Sequence, residues 1–532
     1  MSVSYTSGRA FRLLAGAAAA ACLAAAQPNL SEVVERVRRE FQVPGIAVAV
    51  VKDGRVVLSQ GYGVRRVGQP EPVTARSLFR IASNTKAFTA ASLAMLVDEG
   101  KLGWDDRVID RLPGFQMYDP YVTRELTVRD LLTHRSGLGL GAGDLMFFPS
   151  TDLPSSEIVY RLRFLKPASS FRSRYAYDNL LYLVAGDLIP AVSGRSWADF
   201  VAQRIFIPLG MNGSCTDTRA LETGPDVAIP HSIVEGTLTP LEQENVDNNA
   251  PAGSIVSSAE DMAKWIVLQL GRGACAGPEG QVRLFSEAQS REMWSPQTIL
   301  PIASLPDGTP APLMAIQPNF EAYGLGFHLR DYLGKKMVTH NGELAGFVSR
   351  LTLIPELGLG MIVLTNQEAT AALDAVTYTV LDHYYGRPAT DWVTVLRKLD
   401  AEQRDAAERA VKNASAGRNS GSRPSLPLAA YAGRYRDAWY GDVLIEEHGG
   451  ALTIRLTHSP ALLGALEHWQ YDTFVARWRN RALAADAYVT FSLKPDGAID
   501  EVKLLPVSPL TDFSFDFQDL LLHRVPSDSP PR

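Results

Sequence analysis

The stretch FRIASNTKAFTAASLAMLVDEG, Phe79–Gly100, governs how the rest of the chain is read. It sets Ser83 three residues before Lys86 and then carries no charge from Ala87 to Val97. A helix that is apolar on every side is a buried helix. Ser83 in front and Gly100 behind are the usual start and stop signals of such an element. Serine and lysine one turn apart share a face. A lysine of ordinary basicity, pKa ~10.4, cannot accept a proton at neutral pH, but desolvation at the mouth of a buried helix lowers that value. The pair is therefore a candidate nucleophile and proton carrier. The competing reading is plainer: Ser83 caps the helix and Lys86 snorkels to water. By composition roughly one S-x-x-K is expected by chance in a chain of this length, so the setting carries the weight rather than the spelling.

Two shorter motifs stand further along. Tyr177-Asp178-Asn179 follows the loop KPASSFRSR and opens the helical stretch LLYLVAGDLIPAVSG. A loop can present the phenol to a cleft, and the Asn amide can orient a polar group. His340-Asn341-Gly342 ends a strand-like segment, with Gly342 read as letting substrate approach the strand edge and Glu343 supplying the next backbone N–H. Taken singly, each is an aromatic docking a helix or a turn with an incidental histidine. His448-Gly449-Gly450 repeats the H-x-G spelling in what reads as a hairpin turn, so order and context must decide.

The surrounding sequence supplies that context. The segment GIAVAVVKDGRVVLSQGYG from Gly45 reads as a hairpin turning at Lys52–Gly54. Helical patterns fill the middle, including a short one from Thr127 to Leu132 and SAEDMAKWIVLQLG with Ser258 as N-cap. From about residue 323 to 366 the period changes to that of strands. First and last strands are expected to share one antiparallel sheet in an α+β domain. Residues 411–427, rich in Ser, Gly, Asn and Pro, read as a linker. Beyond it, short β-patterned pieces, among them DFSFDFQDLLLHRV, suggest a small all-β barrel or sandwich over 428–526.

The 532 residues are too many for one core. A net charge of −6 without a long basic run gives no reason to expect nucleic acid. The nine histidines and three cysteines form no metal-ligand spacing, so no metal or cofactor is expected. Arg9 and Arg12 precede the short apolar run LLAGAAAAACLAAA and a small-residue site at Ala24–Ala26, the pattern of a secretory signal over residues 1–26. Cys22 lacks the branched apolar residue three positions earlier that a lipoprotein site needs. Cleavage would leave Cys215 and Cys275 in a mature hydrolase domain, 27–410, that is secreted or periplasmic and not inserted in a membrane.

The order S-x-x-K, Y-x-N, H-x-G resembles the signature set of the penicillin-binding-protein and serine β-lactamase superfamily, on its class C-like branch of esterases, D-aminopeptidases and related peptidases. The phrases VPGIAVAVVKDGRVV, LLTHRSGL, PLGM, AGSIVSSAEDMAKW and YGLGF are similar as well, and together they span residues 30–370. YAGRY and HWQYDTF resemble the lipocalin-like tail of some of these hydrolases. The resemblance implies an antiparallel sheet flanked by helices with a helical subdomain, then a barrel that could mediate homo-oligomers. It implies Ser83 as the acylated nucleophile, and Lys86 and Tyr177 as a shared proton network. It implies Asn179 on the substrate amide, His340 on the opposite wall, and backbone N–H groups of Ser83 and Glu343 as the oxyanion hole.

One departure bears on substrate. β-Lactamases carry K-T-G where this chain has His340-Asn341-Gly342. A partly charged histidine holds a substrate carboxylate weakly and in a pH-dependent way. The expected activity is therefore cleavage of an amide in a small or unusual peptide, with a carboxylesterase as the alternative and β-lactam hydrolysis or a non-catalytic sensor behind it. Glu343 offers negative charge that could meet a free amino terminus. A Ser-His-Asp α/β-hydrolase is disfavoured because no G-x-S-x-G occurs.

Overall fold

The structure is a computed structural model that describes residues 30–526 apart from 219, 220, 222, 223 and 225. The signal segment 1–26 and Cys22 lie outside the described residues. No helix among the described residues is long and apolar enough to cross a membrane.

The first domain is built on one eight-stranded antiparallel sheet. Its strands are β1 (Gly45–Lys52), β2 (Arg55–Gly63), β3 (Thr298–Leu300), β4 (Glu321–Tyr323), β5 (His328–Tyr332), β6 (Lys335–Leu344), β7 (Phe347–Ile354) and β8 (Leu359–Thr365), in the order β2-β1-β8-β7-β6-β5-β4-β3. First and last strands pair as expected, Ile46 opposite Thr365 through Lys52 opposite Leu359. The β1–β2 turn places Asp53 and Gly54 at φ 50° and 74°, the doubly left-handed geometry of a tight hairpin.

β1 and β8 are buried on both faces because helices cover both sides. Ala47, Ala49, Val51, Ile362 and Leu364 face a core shared with helices α2 (Thr85–Asp98), α3 (Leu180–Ser193) and α4 (Ala259–Leu270). Ile46, Val48, Val50, Met361 and Val363 face the other core, with α1 (Leu30–Glu40), α5 (Thr370–Tyr384) and α6 (Trp392–Gly417). The period-two alternation of each strand thus feeds two cores. α2 runs through the first of them with every residue from Thr85 to Leu96 buried, and Phe88 stacks on Trp265 of α4 at 4.0 Å between ring centroids.

α6 continues through residue 417, into the segment whose composition reads as a linker; the alanine- and charge-rich run from Asp400 to Ala416 is dominated by good helix formers. The loop that remains leads to a closed eight-stranded barrel from Gly433–Asp437 to Leu522–Arg524. Its interior is filled by side chains such as Tyr431, Phe474 and Phe491. His448, Gly449 and Gly450 form a hairpin turn of this barrel, in a domain separate from the Ser83 site. The DFSFDF alternation is not a strand: residues 507–521 are a loop between Ile499–Pro506 and the short last strand Leu522–Arg524.

Removing the ring of Phe88 leaves a cavity against Trp265, so Phe88→Ala should destabilise the first domain by about 3–5 kcal/mol. Urea unfolding followed by tryptophan fluorescence should show the lower midpoint.

Candidate active site

Ser83 lies in a single 3₁₀ turn, Ala82–Asn84, that leads directly into α2. Ala82 just before it has φ 45°, a left-handed conformation that a non-glycine residue holds only when its surroundings insist. The surroundings are explicit. Ile81 N–H donates to Ile255 O at 3.0 Å, Ser349 Oγ donates to Ile81 O at 2.8 Å, and Asn84 Nδ2 donates to Ser349 Oγ at 2.8 Å. Gly342 belongs to the same clamp. A Cβ there would sit 2.0 Å from Ile81 O and 2.5 Å from Ser349 Oγ. The missing side chain of Gly342 admits the backbone that carries the nucleophile, a requirement that the sequence reading did not single out.

Lys86 does not snorkel. It is fully buried and its Nζ reaches Ser83 Oγ at 3.0 Å, Asn179 Oδ1 at 2.7 Å and Ala252 O at 3.1 Å. Burial brings its pKa down to about 7, against the opposing pull of Asp144 and Asp178. The Tyr177 phenol shares a hydrogen bond with Ser83, and its ring lies under the Lys86 amine at 4.9 Å. Burial pushes the phenol well above its ordinary value, so Tyr177 is neutral where Lys86 titrates. The three groups converge as the sequence reading required.

Tyr177 and Asn179 are held by residues the sequence reading did not single out. Asn179 Nδ2 donates to Asp144 Oδ2 at 2.7 Å. Asp178 N–H donates to His134 Nδ1 at 3.1 Å, and the His134 ring lies 4.3 Å from that of Tyr177. Both residues occur in DLLTHRSGLGLGAGD, Asp130–Asp144, where a lone Asp and His in a glycine-rich loop give no local sign of their partners. His340 is buried and bonds Tyr323 OH through Nε2 at 2.9 Å; that phenol lies 3.4 Å from Tyr182 OH. Burial, then His328 and Lys86, push His340 well below 6.5. The expected partial charge is absent at neutral pH, and the pH-dependent anion contact goes with it.

The cleft above Ser83 has a volume of about 240 Å³. β5 pairs with β6 only as far as His328 opposite Thr339, so His340–Leu344 present an edge that is paired with β7 alone. The opposite rim comes from the barrel domain. Its 507–521 loop places Asp512, Phe513 and Ser514 in the cleft lining, with the Phe513 ring edge-on to Tyr177 at 5.9 Å. Among the described residues, Glu343 and Asp512 are the acidic side chains of the lining, and no lysine or arginine lines it. Glu343 is open to cleft water yet hemmed in by protein, and its carboxyl is pushed up to about 7 by desolvation and then by Asp512 and Glu368.

These observations define a class that comparison with known proteins bears out. The Beta-lactamase family model matches residues 30–385, and a domain of unknown function, DUF3471, matches 417–524. The chain belongs to the Beta-lactamase family and is a serine hydrolase of that type. An unguisins hydrolase of Aspergillus violaceofuscus is 28% identical over 488 residues, 86% of this chain and 84% of the relative. An octameric penicillin-binding protein homologue from Pyrococcus abyssi superposes with a TM-score of 0.59 at 22% identity, covering 93% of this chain and 98% of that one. D-amino acid amidase from Ochrobactrum anthropi SV3 gives a TM-score of 0.53 at 24% identity over 68% of this chain and 98% of its own.

Three outcomes follow from the geometry. Acylation of Ser83 by a fluorophosphonate, read by intact mass, should accelerate as pH rises through about 7, because the Lys86 amine becomes neutral there. Lys86→Ala should slow the same reaction by about a thousandfold or more. Gly342→Ala should slow it by at least roughly tenfold through displacement of the nucleophile turn, with the far-ultraviolet circular dichroism unchanged.

Proposed function

We propose that the protein is an amide hydrolase acting on small peptides or amino-acid amides that carry a free amino group. The observation that carries this reading is the acidic character of the cleft: two carboxyl groups, Glu343 and Asp512, line it, and no lysine or arginine among the described residues does. An ammonium group is the complement of that lining, whereas the carboxylate of a β-lactam would find only repulsion and a neutral His340. One relative is named an unguisins hydrolase, which is in keeping with hydrolytic chemistry.

In this mechanism neutral Lys86 takes the Ser83 proton as Oγ bonds the scissile carbonyl carbon. Backbone N–H groups of Ser83 and Glu343 receive the oxyanion, a contact worth about 3 kcal/mol per donor. Asn179 holds the substrate amide. The C–N bond then breaks, and the proton passes from Lys86 through the neutral Tyr177 phenol to the departing amine. Water, deprotonated by the same pair, attacks the acyl carbon and releases the carboxylic acid and Ser83. Tyr177 serves as a relay rather than the initial base, because its phenol is harder to ionise than Lys86.

A panel of peptide anilides of both chiralities, each with a free or acetylated amino terminus, tests the reading beside nitrophenyl esters and a chromogenic cephalosporin. Free-amine anilides should turn over, and acetylation should raise KM by about tenfold or more, the worth of a hydrogen-bonded charge contact. For those substrates KM should fall as pH rises through about 7, where Glu343 gains its charge, and rise again above about 8, where the substrate's ammonium group loses its own. Glu343→Gln and Asp512→Asn should each raise KM for the free-amine substrate and leave the acetylated one within a few-fold of wild type. Faster turnover of acetylated than of free-amine anilides, or cephalosporin hydrolysis at ordinary enzyme rates, would sink the proposal.

A further inference from the structure

The barrel domain does more than edge the cleft. Ser514 Oγ donates to Asp144 Oδ2 at 2.9 Å, and Asp144 Oδ2 accepts from Asn179 Nδ2 at 2.7 Å. Asn179 Oδ1 in turn accepts from Lys86 Nζ at 2.7 Å, and Lys86 Nζ reaches Ser83 Oγ. Asp144 is fully buried, and its Oδ1 makes no hydrogen bond among the described residues, so Ser514 and Asn179 are the side chains that solvate this carboxyl. The loop that brings Ser514 is anchored on the same segment: Gly143 N–H donates to Asp516 Oδ2 at 2.7 Å, and Phe515 packs edge-on against Phe148 at 5.2 Å.

We infer that Ser514 of the barrel domain is a positioning residue for catalysis, acting through Asp144 and Asn179 to orient Lys86 and set its proton affinity. The inference rests on Lys86 as the base that activates Ser83. A buried carboxyl one amide away from an amine stabilises the ammonium form in proportion to its own ionisation. The Ser514 hydroxyl favours that ionisation by donating to the anion. Burial opposes it and holds Asp144 well above the usual carboxylate range, with Asp178 adding to the rise and Lys86 offsetting it. The other groups around the chain are Asp512, which also shares the Ser514 hydroxyl, and Asp516, pushed up to about 10 and hydrogen-bonded to Asp519. On the Lys86 side stand Tyr177, His134, His328 and His340, all neutral near pH 7 because burial raises the phenol and lowers the imidazoles. Asp178, pushed up to about 6, faces Lys86 from the start of α3. Loss of the Ser514 donor therefore weakens the negative potential at Lys86, and the ammonium form gives up its proton at lower pH.

The test is the second-order rate of Ser83 labelling by a fluorophosphonate as a function of pH, in the full chain. Ser514→Ala should move the midpoint of the rise lower by roughly half a pH unit and reduce the plateau by up to about tenfold. Ser514→Thr, which keeps the hydroxyl, should restore the wild-type midpoint. Asp144→Asn, which leaves the barrel untouched, should move it in the same direction as Ser514→Ala. An unmoved midpoint in Ser514→Ala, or a threonine variant that behaves as the alanine one, overturns this inference while leaving Lys86 as the base. A wild-type profile that is flat through neutrality overturns both.

Discussion

The amine of Lys86 is fully buried, cut off from bulk solvent, and the site is organised around that fact. Removing an ammonium from water costs several kcal/mol even after relaxation, so the group must either find acceptors or lose its proton. Three acceptors surround it, the Ser83 hydroxyl, the Asn179 amide oxygen and the Ala252 carbonyl, and each comes from a different part of the domain. They hold the amine in place without the full charge of a close carboxylate. The outcome is an amine poised between its two protonation states, which is what a proton carrier at neutral pH requires. The strained turn at Ala82, the missing side chain of Gly342 and the all-buried α2 are the conditions under which Ser83 can be delivered to that amine.

The electrostatics of the cleft follow from how deeply each group lies. At the floor, His134, His328 and His340 are stripped of charge by burial, so the aromatic wall of Tyr175, Tyr177, Tyr182 and Tyr323 is also an uncharged one. At the rim, Glu343 and Asp512 are exposed to the cleft and are its ionisable acidic groups; burial raises both carboxyls, and Glu343 gains its negative charge near pH 7. Under the proposed function, this gradient sorts a substrate first by the charge it carries and then by how its carbonyl lies over Ser83.

Composition presents the chain as two modules joined by a polar segment, but the folded molecule joins them at the chemistry. Arg161 Nη1 of the first domain donates to Trp439 O of the barrel at 3.1 Å, and Asp152 pairs with His458 at 2.6 Å. Ser514 and Asp516 dock on the segment that supports Asn179. A catalytic network that ends in a second domain ties the integrity of the site to how that domain seats.

Much of the first domain could be read from order and periodicity. A continuous apolar run marks β1, a change to strand-like patterning marks β4 to β8, an uncharged run marks α2, and the three-residue spacing of Ser83 and Lys86 forces them onto one helical face whatever surrounds them. Those are short-range consequences of backbone geometry. The role of Asp144, 35 residues from Asn179 and 370 from Ser514, had no such signal, because hydrogen bonds between distant segments leave no period in the chain. The DFSFDF alternation misled for the same reason: Phe515 packs against Phe148 of the first domain and Phe517 against Trp478 inside the barrel, contacts that need no strand pairing. The neutrality of His340, the clamp around Gly342 and the pKa of Lys86 were likewise settled only on folding, since each depends on how much protein replaces water around a group, and that is a property of the whole packed molecule.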